Sequence, residues 1–208
     1  MKRWICLGLV CATSVVLAAQ EVELGCKRLR VVLDERLSPE VVESEWGSGN
    51  PRSEASATLE LVGCAGEVLD RFPLETPLAR LDPVPVRGAP HPTYLVSTDL
   101  TVEAGSYNGP LTIPVQVVRD HLQAAVARSA DKRIEPIRLT LTGKSAWKRI
   151  ANGRVDDLLL VSCQPAGRGF VTSYRRFHPS AQGWRVKLRT LEGLWESDGK
   201  FPERNRFP

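Results

Sequence analysis

The chain has 208 residues, 42% hydrophobic and 25% charged, with Lys and Arg outnumbering Asp and Glu by 28 to 24. That balance excludes a wholly disordered chain and a polytopic membrane protein, and Gly 16 with Pro 15 lies below a low-complexity composition. The length suits one domain, or at most two small ones.

Residues 1–19 predict a secretory signal peptide. Lys2 and Arg3 form a positive start, Trp4 to Leu17 is uncharged and apolar, and small residues follow at the cleavage position. The expected mature chain, 20–208, is a single domain in the periplasm. Every asparagine (Asn50, Asn108, Asn152, Asn205) lacks the N-x-[ST] pattern. Cleavage leaves Cys26, Cys64 and Cys163, and an oxidising compartment favours one disulfide and one thiol. Three pairings are open. The sequence favours Cys64–Cys163, because both end an apolar run, LELVGC and LLLVSC.

Along the mature chain the dominant period is two, which predicts an all-β protein: an antiparallel meander forming a sandwich or open barrel, with at most one or two short helices. Residues 26–34 and 57–72 read as strands. Ser38-Pro39-Glu40 opens a short helix, since serine caps and proline suits the first turn. Residues 47–56 are a polar loop, and 73–92 hold six prolines, predicting an extended strap. Tyr94 to Val102, Leu111 to Val117, Ile137 to Leu141 and Trp184 to Leu188 alternate as half-buried strands. Pro114 predicts an edge strand or a bulge. Residues 119–130 fit a helix or a strand. Asn152-Gly153 predicts a two-residue hairpin turn with positive φ at both positions. Leu158-Leu159-Leu160-Val161 reads as a doubly covered strand, and Trp195 and Phe201 as clamps for the C-terminal segment.

Signatures of chemistry are sparse. The chain carries no H-E-x-x-H, G-x-S-x-G, P-loop or CxxC motif, so no catalytic, metal or cofactor residues are assigned. His91, His121 and His178 read as surface or turn residues, and Asp156-Asp157 as solvated charge on opposite strand faces.

Charge segregation says more. Residues 20–75 hold 6 basic and 12 acidic residues, and residues 144–208 hold 13 basic and 6 acidic. Two partner-binding patches follow. One is acidic: Asp34, Glu35, Glu40, Glu43, Glu45 and Trp46. The other is a basic ribbon of Arg185, Lys187 and Arg189 on one strand face, with Arg175 or Arg176 from the preceding strand. In an exported protein such a ribbon suits anionic lipid, lipopolysaccharide or an acidic protein rather than nucleic acid.

The stretches GSYNGP, LLLVSCQP, GFVTSYRRF and WESDGKFP, within residues 80–208, resemble a group of exported β-rich proteins of Gram-negative bacteria. In size and character the chain also resembles periplasmic immunity proteins that neutralise type VI secretion effectors, phospholipases among them. That resemblance implies a non-enzymatic protein that blocks a partner, a secreted toxin or hydrolase, by occlusion with its acidic segment. The other readings are an envelope-associated structural or anionic-lipid-binding protein using the basic ribbon, and an enzyme with a dispersed site.

Overall fold

The computed structural model describes residues 21–35, 37, 56–99, 109–197 and 200–208. The chain is all-β, with strands in three sheets, none closed into a barrel. The first sheet is an antiparallel meander of β1 (Glu21–Leu24), β2 (Lys27–Leu33), β3 (Ala57–Val62) and β4 (Val68–Pro73). The second contains β5 (Ala79–Leu81), β6 (Thr93–Thr98), β7 (Leu111–Val118) and β8 (His121–Ala124), with β11 (Leu139–Thr140) also on β7. The third is built from β9 (Val126–Arg128), β10 (Ile134–Pro136), β12 (Ser145–Asn152), β13 (Val155–Ala166), β14 (Gly169–Ser180) and β15 (Gly183–Glu192). Its order is β10-β9-β15-β14-β13-β12, antiparallel except where β9 joins β15 in parallel.

The second sheet is covered on both faces. Tyr94, Val96, Val115 and Val117 pack with Leu29, Leu59 and Leu61 of the first sheet. Leu95, Ile137 and Leu139 pack with Leu158, Leu160, Phe177, Trp184 and Val186 of the third. β6 is therefore a doubly buried strand rather than the half-buried one its alternation suggests. The expected double cover of Leu158–Val161 holds. Leu158 and Leu160 face the central layer, while Leu159 and Val161 face outward against Ala146, Tyr174 and Phe207. The C-terminal segment lies over that outer face. Trp195 and Phe201 pack there, Phe207 stacks on Phe201 at 5.4 Å and meets Tyr174 edge-on at 5.5 Å.

Several local expectations change. Pro114 lies in β7, which is no edge strand: β6 flanks one side, and β11 and β8 share the other. Pairing to β11 ends at Thr112 and pairing to β8 begins at Val115, while the Pro114 carbonyl accepts from Ala125 N–H on that side. The absent N–H thus falls in the gap between two short partners. Residues 119–130 adopt the strand alternative, interrupted at Ala125, where the chain leaves the second sheet for the third. The β12–β13 turn is Gly153-Arg154, because Asn152 pairs with Val155. Positive φ occurs only at Gly153 (63°), the pattern of a type II′ rather than a type I′ turn. The strap contains β5 and is otherwise irregular. The helix expected at Ser38 and most of the 47–56 loop lie outside the described residues. No helix among the described residues is long and apolar enough to cross a membrane.

The disulfide joins Cys26 to Cys64, with Cα atoms 4.9 Å apart, and replaces the expected Cys64–Cys163 pair. Cys26 sits in the β1–β2 turn and Cys64 just past β3. Since Arg28 pairs with Val62, adjacent strands bring both cysteines to one end of the first sheet. The two apolar runs that suggested Cys64–Cys163 belong to different sheets. Cys163 is a buried thiol in β13, whose Sγ accepts from Trp195 N–H at 3.5 Å. A disulfide fits an extracellular or periplasmic protein.

Candidate anion-binding face

Alternation on β15 turns Trp184 and Val186 into the core, so Arg185, Lys187 and Arg189 point outward together, and all three are exposed. The antiparallel register with β14 sets His178 opposite Arg185, Arg176 opposite Lys187 and Tyr174 opposite Arg189. Arg176 therefore joins the ribbon. Arg175 does not: it stands opposite Leu160 and Leu188 on the other face, with Nη1 3.5 Å from Ser162 Oγ. The alternating pattern admits only one of two neighbours to a face, and the structure selects Arg176.

Two further cations arrive from elsewhere in the chain. The parallel β9–β15 pairing puts exposed Arg128 beside Arg185. Across β13, Lys148 of β12 pairs with Leu159, which pairs with Arg176. Directly paired residues hold their Cβ atoms about 5 Å apart, and like charges there repel. Arg128 against Arg185 is such a pair, whereas the charge of Arg176, opposite Lys187, is offset by Asp157. Arg128, Arg185, Lys187 and Arg189 make no ion pair among the described residues.

One acid lies beneath this face. The Asp157 side chain is fully buried, and its carboxyl accepts from His178 Nδ1 at 2.7 Å and from Arg176 at 2.9 Å (Nε) and 2.8 Å (Nη2). Arg204, from the covering C-terminal segment, stands 3.8 Å away. Asp157 thereby fixes the rotamers of Arg176 and His178, while the His178 side chain remains 40% exposed. Its neighbour Asp156 points to the opposite face, as strand alternation requires. There Arg87 donates through N, Nε and Nη2, and Arg149 through Nε and Nη2. Burial works to raise the Asp156 carboxyl, but the hydrogen bonds from Arg87 and Arg149 outweigh it and hold it at about 2. The aspartate pair expected as solvated charge is instead two buried, separately neutralised acids.

The acidic patch is described only at its start. Asp34 follows β2 and donates its N–H to the Ser56 carbonyl, and Glu35 is exposed. Glu40, Glu43, Glu45 and Trp46 lie outside the described residues. Of the other histidines, His91 is exposed and His121 stands 3.5 Å from Asp70 with 77% of its side chain exposed. The aromatics Tyr174 and Trp184 of β14 and β15 do not stand open on the ribbon: Trp184 is in the core and Tyr174 lies under Phe207. No group of three or more His, Cys, Asp or Glu among the described residues is placed to hold a metal ion.

In comparisons with known proteins, no family model, no curated protein and no solved structure matched this chain.

Proposed function

We propose that this chain is an exported, non-enzymatic binding protein that covers an anionic partner with the outer face of its six-stranded sheet. The observation that carries the reading is the row of like charges. Arg128 opposite Arg185, and Lys187 opposite Arg176, set cations side by side in register, and Arg128, Arg185, Lys187 and Arg189 have no acidic partner among the described residues. Such an arrangement weakens the folded protein slightly and is relieved when an anion spans the face. The buried Asp157 supports the reading too, because it orients Arg176 and His178 without placing an acid on the surface. Periplasmic residence through a cleaved signal peptide belongs to the same proposal. The occlusion of a type VI effector with the acidic segment rests on Glu40, Glu43, Glu45 and Trp46, so the basic face is the better supported surface.

Titration of the protein with inorganic polyphosphate at low and high salt tests this reading. Saturable binding that weakens steeply with salt is expected. Absence of binding to polyphosphate at low salt overturns it.

A further inference from the structure

The basic face ends in an apolar corner. Ile134 in β10 is 61% exposed and Val126 in β9 is 47% exposed, and Pro136 beside them is exposed as well. Register sets Ile134 opposite Arg128 and Pro136 opposite Val126, so these apolar side chains project from the same face as Arg128 and Arg185. β10 is the outermost strand of its sheet, and the turn before it carries the exposed cations Lys132 and Arg133, the latter paired with Asp131. Edge strands ordinarily carry charge or turn their apolar side chains inward. Here the apolar side chains point out, beside cations.

A soluble polyanion or an acidic protein surface would use the cations and leave Ile134 and Val126 in water. A bilayer bearing anionic phospholipids uses both: phosphates meet Arg128, Arg185 and Lys187, and the apolar side chains enter the boundary between headgroups and acyl chains. The geometry points to an anionic phospholipid surface as the partner of this face, with the β9–β10 corner as its inserting edge. This rests on the proposed binding role of the basic face and names the partner.

The test uses protein purified from the periplasm, with Ile134→Cys carrying an environment-sensitive NBD label. Cys163 is buried and stays unlabelled in the native state. Vesicles of phosphatidylcholine alone are compared with vesicles containing phosphatidylglycerol. The label is expected to brighten and shift to the blue only with phosphatidylglycerol. Ile134→Ser is expected to lower vesicle affinity about tenfold and leave polyphosphate affinity and thermal stability unchanged; Val126→Ser acts in the same direction. Equal vesicle binding by wild type and Ile134→Ser, or an unresponsive label, overturns the inference while polyphosphate binding preserves the proposed role. Failure of the wild type to bind either vesicles or polyphosphate overturns both.

Discussion

Asp157 and His178 sit side by side on neighbouring strands, and the buried carboxyl of one takes the Nδ1 hydrogen bond of the other at 2.7 Å. The same carboxyl takes two hydrogen bonds from Arg176. A buried acid in this position is tolerated only because of its cations, and removing it leaves those donors without their acceptor. Asp157→Ala is expected to lower unfolding free energy by about 3 kcal/mol, measured by urea denaturation. Asp157→Asn, which retains one acceptor oxygen, should lose less and bind polyphosphate more tightly than wild type, since it removes the acid buried beneath the face.

Asp156 makes stability depend on acid pH. Its folded-state value of about 2 lies below the roughly 3.9 of an unfolded aspartate. The contribution is therefore complete above about pH 4 and disappears as pH falls toward 2, and it amounts to about 2 kcal/mol. Urea midpoints measured across that range should fall for wild type, and Asp156→Asn should remove part of that fall while starting less stable at neutral pH.

The Cys26–Cys64 bridge spans a sequence separation of 38 residues. Closing a loop of that length in the unfolded chain is worth up to about 4 kcal/mol. Reduction, or Cys64→Ser, should lower the melting temperature markedly. Cys163 should react with an alkylating agent only after unfolding, and peptide mapping of the unreduced protein should find Cys26 linked to Cys64.

Within the third sheet β13, β14 and β15 were legible because they are long and follow one another through tight turns, so period-two alternation and turn residues act locally. The outward set of Arg185, Lys187 and Arg189 follows from that alternation alone. What needed the fold were the long-range placements. Arg128 reaches the ribbon through a parallel pairing that no local pattern encodes. The choice of Arg176 over Arg175 depends on which face of β14 meets the core. Asp157 reads from sequence as an ordinary strand acid, whereas in the fold Arg176, His178 and Arg204 of the C-terminal segment surround it. The disulfide was misread for a related reason: apolar runs mark buried strands, but strand adjacency decides which cysteines meet.

The C-terminal segment should behave as part of the folded body. Phe207 is 7% exposed, stacked on Phe201 and edge-on to Tyr174. Phe207→Ala is expected to cost about 3 kcal/mol by urea denaturation. It should also speed amide exchange around Leu159 and Val161, which the segment covers.

Charge reversal on β15 tests whether the basic face is the binding surface. Arg185 and Lys187 are exposed and make no ion pair among the described residues, so Arg185→Glu with Lys187→Glu should leave the fold intact and ease the repulsion between Arg185 and Arg128. Isothermal titration with polyphosphate at low salt compares the double variant with wild type. An unchanged or slightly raised melting temperature is expected, together with a loss of affinity of at least about tenfold. Equal affinity in a folded double variant would contradict the assignment of this face as the binding surface.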